Sequence, residues 1–128
     1  MYPKDLRYTK DHEWIRMDGD EGTVGITHYA QEALGDIVFI ELPEQDDSFD
    51  AGDVIGSIES VKAVSDILIP VGGTVTAANS ALEDAPETIN ADPYGEGWIC
   101  RIDVRDDGEL EDLMDAAQYQ EFLKEVEE

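Results

Sequence analysis

Val54-Ile55-Gly56-Ser57-Ile58-Glu59-Ser60-Val61-Lys62-Ala63-Val64-Ser65-Asp66-Ile67-Leu68-Ile69-Pro70-Val71-Gly72-Gly73-Thr74-Val75-Thr76-Ala77 contains short β-branched runs separated by small polar residues and by a Pro-Val-Gly-Gly turn. β-Branched side chains suit pleated backbone, and proline and glycine punctuate it. Val54 to Ile58 and Ile67 to Ile69 therefore read as strands on either side of the segment Glu59 to Asp66, with Lys62 near a hairpin tip. Thr74 to Ala77 follows as the next strand.

The same pattern recurs on both sides. Trp14 to Met17 and Thr23 to Thr27 flank a turn at Asp18 to Gly22, and Ile37 to Leu42 stops at Pro43. The acidic loop Glu44 to Asp50 leads into the turn at Gly52-Asp53. Thr27 is placed to cap a short helix over His28 to Leu34, which Gly35 closes in the left-handed conformation. Ala81 to Asn90 has room for one irregular helical turn, Pro93 to Gly97 is a loop, and Trp98 to Val104 resumes a strand. Asp115 caps a final helix over 116–127, with Ala116, Tyr119, Leu123 and Val126 on one face. Short strands at close intervals with helices at the margins indicate a β-sandwich or barrel.

The 128 residues, 41% hydrophobic, supply one core and predict a single domain over 1–128. No apolar run approaches the roughly 18 residues of a membrane span, and Met1 to Asp5 lacks a signal-like apolar stretch, so a cytoplasmic protein is expected. The single cysteine, Cys100, lies in the alternating run Trp98 to Ile102 and reads as a buried hydrophobe. With only His12 and His28 beside it, no metal site is expected. Eight basic against 32 acidic residues give a net charge of −24, which excludes nucleic acid and anionic membranes as partners. The acids run through every loop. Such a surface suits concentrated salt, which shortens the Debye length, and a halophilic source is one reading; an acidic face matched to basic partners is the other.

Between Met17 and Cys100 there are 18 acidic residues and one basic residue, Lys62. An exposed ion pair with Glu59 or Asp66 is worth only about 0 to 1 kcal/mol, a weak reason to keep that single cation. Covalent acylation of the amine is a stronger one.

Glu59-Ser60-Val61-Lys62-Ala63-Val64-Ser65-Asp66 resembles the lipoyl-attachment segment of the glycine cleavage system H protein family. The similarity extends to Tyr8-Thr9-Lys10-Asp11-His12-Glu13-Trp14, Gly25-Ile26-Thr27-His28-Tyr29-Ala30-Gln31-Glu32, Leu34-Gly35-Asp36-Ile37-Val38-Phe39, Glu41-Leu42-Pro43 and Asp92-Pro93-Tyr94-Gly95-Glu96-Gly97-Trp98. Biotin carriers set their lysine between methionines, and 2-oxoacid dehydrogenase lipoyl domains place an aspartate before it; Val61 and Ala63 fit neither pattern.

The resemblance implies a mainly β fold, a lipoyl-type β-sandwich (barrel-sandwich hybrid) of two small antiparallel sheets, with a short internal helix and a C-terminal helix. It implies lipoic acid in amide linkage to Lys62 and no catalysis by the chain itself. It implies as partners a pyridoxal-phosphate glycine decarboxylase, a tetrahydrofolate-dependent aminomethyltransferase, dihydrolipoamide dehydrogenase and a lipoate-attaching enzyme. Glu13, Asp66 and Asp11 match positions lining a cleft into which the loaded arm folds, with Asp11 departing from the residues usual there. On composition alone those three are plain surface acids. A glycosidase-like carboxylate pair has no support from one sequence so rich in acids. A lipoate relay, a biotin carrier and a purely structural role remain as rivals that the group on Lys62 would separate.

Overall fold

The computed structural model describes residues 2–126; Glu127, the expected end of the last helix, lies outside them. Among the described residues the strands are β1 (Arg7–Tyr8), β2 (Glu13–Asp18), β3 (Glu21–Ile26), β4 (Ile37–Glu41), β5 (Ser48–Phe49), β6 (Val54–Ser60), β7 (Val64–Leu68), β8 (Gly73–Ala78) and β9 (Cys100–Val104). Helices are α1 (His28–Leu34), α2 (Ala81–Asp84), α3 (Thr88–Ala91) and α4 (Ala116–Val126), with a 3₁₀ helix at Asp107–Asp112. The strands form two antiparallel sheets, one of six strands in the order β1-β2-β3-β9-β8-β5 and one of three in the order β4-β6-β7. This is the expected mainly β sandwich of two sheets with marginal helices.

Isoleucines and valines from both sheets fill the space between them. Ile15, Val24 and Ile102 of the larger sheet and Ile37, Ile40, Ile58 and Ile67 of the smaller belong to one buried cluster. Each such side chain stabilises the fold by about 1.5–3 kcal/mol on burial. Cys100 is fully buried in that cluster, and burial pushes its thiol up to about 12, as the hydrophobe reading requires. A second cluster of Leu6, Tyr8, Trp14, Ala116, Tyr119 and Leu123 fastens α4 to the larger sheet. Val126 belongs to neither cluster and is 46% exposed, so the apolar stripe of α4 is shorter than its spacing suggests.

The β2–β3 hairpin is tighter than expected. Asp18 pairs with Glu21, leaving Gly19-Asp20 as the turn, and Gly19 supplies the positive φ (65°). Thr27 caps α1 by accepting from the Ala30 N–H at 3.2 Å. Gly35 ends α1 with φ 82° as foreseen, but its ψ of −154° is extended rather than left-handed helical, a region open essentially to glycine alone. Asp115 accepts from the Gln118 N–H at 2.8 Å while the Gln118 side chain accepts from the Asp115 N–H at 2.9 Å, a reciprocal cap for α4. Two short helices, α2 and α3, replace the single irregular turn expected over Ala81 to Asn90, because Pro86 drives Ala85 out of helical geometry (φ −139°).

One irregularity bears on function. Ile37 pairs with Ser60 and Phe39 with Glu59, so Val38 is an extra residue in β4. This β-bulge turns two successive apolar side chains outward, leaving Val38 50% and Phe39 55% exposed.

Candidate functional site

β6 and β7 pair antiparallel up to Glu59 opposite Val64, which puts Lys62 at the tip of the hairpin, exposed. Ser60 builds the turn. Its N–H donates to the Ala63 carbonyl at 2.8 Å, and its hydroxyl oxygen accepts from the N–H of Ala63 at 3.1 Å and of Lys62 at 3.3 Å. Lys62 makes no ion pair among the described residues, so neither Glu59 nor Asp66 explains its retention.

The tip is tied to the end of α1. Val61 N–H donates to the carbonyl of Asp36 at 3.1 Å. Asn90 fixes the two neighbours of Asp36: its amide donates to the Gly35 carbonyl at 2.8 Å, and its side-chain oxygen accepts from the Ile37 N–H at 2.9 Å. The same amide donates to Gln31 of α1 at 3.0 Å. The lysine stem lies over Gly35, where a Cβ would come within 3.3 Å of Lys62 Cε. Glycine is thus required there for backbone conformation, whereas the exposed lysine stem could yield the few tenths of an ångström that a Cβ would need.

Glu13, Asp66 and Asp11 occupy three different settings. Glu13 is 2% exposed. It accepts from the Thr9 hydroxyl at 2.6 Å and from the Leu68 N–H at 3.3 Å, closing the outer edge of β7. Burial pushes its carboxyl up to about 7, against the lowering effect of those two hydrogen bonds; the charge of Asp11 adds to the rise. Asp66 is exposed and pairs with Ser57. Side chains alternate along a strand, so Val64, Asp66 and Leu68 share one side of β7 and lead from the tip towards Glu13, about 13 Å from the first to the last. Asp11 is exposed, and its N–H donates to the Thr9 hydroxyl at 3.1 Å. The structure therefore brings Asp11 and Glu13 into one turn and aligns Asp66 with the strand that Glu13 touches; it records no contact between Asp66 and either of the others.

A hydrogen-bonded chain behind this turn had no signature in the sequence. His12 adopts φ 70°, unusual for a residue with a side chain. Its Nδ1 lies 2.8 Å from the Tyr119 hydroxyl, which lies 2.8 Å from the Thr27 hydroxyl, and the His12 carbonyl accepts from Thr27 N–H at 3.0 Å. Tyr119 and Thr27 are fully buried, and burial lowers the proton affinity of His12. The turn carrying Asp11 and Glu13 is thereby locked to the start of α1 and to α4. Only the residue types hinted at this: one histidine, one threonine and one tyrosine, 107 positions apart at the extremes.

Among the described residues no group of histidine, cysteine and acidic side chains is arranged to hold a metal ion, and no helix is long and apolar enough to cross a membrane.

Comparison with known proteins agrees with this layout. The family described as Glycine cleavage H-protein matches residues 6–126. The glycine cleavage system H protein of Halothermothrix orenii is 53% identical over 125 residues, covering 98% of each chain. That of Acidobacterium capsulatum is 56% identical over 124 residues, covering 97% of this chain and 95% of the relative. The crystal structure of a glycine cleavage system H protein from Mycobacterium marinum superposes with a TM-score of 0.85 at 43% identity, over 93% of this chain and 96% of that one.

Proposed function

Because the chain belongs to the glycine cleavage H-protein family, a carrier component of the glycine cleavage system and not a catalyst, we propose that lipoic acid is attached to Lys62 and that residues 1–128 act as one carrier domain. The observation that carries the reading is an exposed lysine, without an ion pair among the described residues, on a hairpin tip that Ser60 and Asp36 hold in place. When attached, the lipoyl group would supply a disulfide able to carry an aminomethyl unit on one sulfur, with the other as a thiol, between glycine decarboxylase and the tetrahydrofolate-dependent aminomethyltransferase, its dithiol form then being the substrate of dihydrolipoamide dehydrogenase.

The chain's own residues supply position. A tether converts a diffusive handover into a local one at raised effective concentration, and the anchored turn fixes where that tether starts. Glu13, beside Leu68 on the edge of β7, offers a carboxyl to the amine of an arm lying back along that strand, and the ammonium would favour the ionised form of the carboxyl. Asp66 offers a second acceptor on the way, and Asp11 adds negative charge beside Glu13. A cytoplasmic, salt-adapted protein fits the acidic surface.

Intact mass of the protein from its native host, followed by peptide mapping across Val61 to Ala63, tests the reading. One lipoyl amide on Lys62 is expected. An unmodified lysine in cells actively cleaving glycine defeats the carrier role, and a biotinyl mass moves the protein to another carrier class.

A further inference from the structure

Lys62 is bordered by an apolar surface that the fold does not use. Val61 is 68% and Val64 69% exposed, on either side of the lysine, and the bulge in β4 adds Val38 and Phe39 at 50% and 55%. Phe39 pairs with Glu59 and Glu59 with Val64, so Phe39 and Val64 flank Glu59 in one row across the outer face of the smaller sheet. The Val61 backbone is held against the start of β4 by its hydrogen bond to the Asp36 carbonyl, two positions before Val38. Single exposed hydrophobes are ordinary, whereas four exposed apolar side chains gathered about one hairpin tip and its neighbouring strand end mark a contact site. The charges among them are acidic: Asp36, Glu41, Glu59 and Asp66 are all exposed, with Glu59 between Phe39 and Val64.

We propose that Val38, Phe39, Val61 and Val64 form the surface on which the enzyme that acylates Lys62 docks, through a face that sets apolar side chains against them and lysine or arginine side chains against Glu59 and its acidic neighbours. The proposal rests on reading Lys62 as the lipoylated residue. Charge decides against a second copy of the chain as occupant, since two such patches would face each other with the same acidic charges on a protein of net charge −24. Reach decides for the acylating enzyme. Enzymes that act later meet the far end of a long arm, but the enzyme that makes the arm must bring its active site to the amine itself. With the lysine stem lying over Gly35, that enzyme has to cover the hairpin tip and the adjoining end of β4.

In the step itself the Lys62 ammonium gives up one proton to become nucleophilic, and Nζ attacks the acyl carbon of an activated lipoate, an acyl adenylate or a thioester. The amide bond forms as the activating group leaves, and the second proton passes to that group or to water. The patch takes no part in bond making. Its contribution is to binding, which predicts an effect on KM and not on kcat.

The test uses the full-length unmodified chain with a lipoate–protein ligase, lipoate and ATP, following the lipoylated mass at several chain concentrations. The paired substitutions Val38→Ser and Phe39→Ser should raise KM about tenfold or more with kcat nearly unchanged, as expected for loss of a central apolar contact. Val54→Ser is the control: Val54 is 52% exposed but pairs with Leu68 at the far end of the hairpin, and its KM should match the parent. Asp36→Asn with Glu59→Gln should flatten the decline of kcat/KM with added salt. An unchanged KM in the double serine variant, or an equal rise in Val54→Ser, overturns the proposal while leaving Lys62 as the modified residue. So does a parent dimer in sedimentation that Phe39→Ser dissolves, which would make the patch a self-contact. If the ligase fails to acylate the parent chain at Lys62 at all, the carrier reading itself falls, and the docking surface with it.

Discussion

The N–H of Val61 donates to the carbonyl oxygen of Asp36 at 3.1 Å, joining the turn that carries Lys62 to the segment just past α1. Asp36 sits between Gly35 and Ile37, both held by Asn90. Asn90→Ala would leave the Ile37 N–H and the Gly35 carbonyl without those partners. A loss of about 2–3 kcal/mol is expected from urea unfolding, because each broken bond of this kind is worth about 1 kcal/mol and the stranded groups add to it. Amide exchange at Val61 should quicken with it; unchanged exchange would show that Asn90 does not support the hairpin tip.

Gly35→Ala strains the backbone and shifts the lysine. At φ 82° and ψ −154° a side chain costs roughly 1–3 kcal/mol, and the new Cβ, 3.3 Å from Lys62 Cε, would move the lysine stem by a few tenths of an ångström. The expected result is a lower unfolding midpoint and a displaced lysine, read as slower acylation of Lys62. Gly52 also has a positive φ (86°) but has nothing near its would-be Cβ, so Gly52→Ala should lose stability without touching acylation.

Glu13 gives the fold a pH dependence of unusual sign. Its carboxyl is held up to about 7 in the folded protein, against an ordinary value of 4.5, so the folded state keeps a proton that the unfolded state has lost. Its contribution is complete below about pH 4.5 and disappears as pH rises through about 7. Glu13→Gln, which cannot ionise, should therefore gain on the parent by on the order of 2 to 3 kcal/mol between pH 4.5 and pH 7.5 in denaturant titrations. His12 acts in the opposite direction: burial disfavours its charged form, and what it contributes is present above its ordinary value of 6.5 and falls away in acid. Comparing the parent with Glu13→Gln cancels that part. A constant difference across the range would show that Glu13 is ionised throughout.

Tyr119→Phe removes the hydroxyl between His12 and Thr27 while preserving the ring stacked on Tyr8 at 4.7 Å. A destabilisation of about 1–3 kcal/mol is expected, since the buried Thr27 hydroxyl loses a partner. If the hydroxyl serves both neighbours, Tyr119→Phe and Thr27→Val should be non-additive in a double-mutant cycle; full additivity would separate them.

The acidic surface carries a prediction of its own. Thermal unfolding should shift upward as potassium chloride approaches molar concentration, where the Debye length contracts to about 3 Å and self-repulsion is screened. A flat response would leave the acids to partner matching.

Much of the fold was legible because it is local. Alternating β-branched runs, Pro43, the cap at Thr27 and the cap at Asp115 each act within a few residues, and they located the main strands and both principal helices. The two-residue strands β1 and β5 were illegible, since Arg7–Tyr8 and Ser48–Phe49 become strands only by pairing with β2 and β8. Pro86 was visible, but not that it would leave helix on both sides.

The sequence by itself determined that the protein is a strand-rich, strongly acidic chain with one cation in its central 84 residues, and that this cation sits at a turn, because composition, spacing and turn chemistry are written residue by residue. Tertiary structure alone decided the contacts that hold the hairpin and the turn bearing Asp11 and Glu13. The Asp36 carbonyl under Val61, the Leu68 edge against Glu13, the outward pair Val38 and Phe39, and the chain from His12 through Tyr119 to Thr27 all join positions far apart in sequence or depend on a bulge in strand register. Such contacts exist only once the two sheets have closed on their shared core, which is why no local pattern announces them.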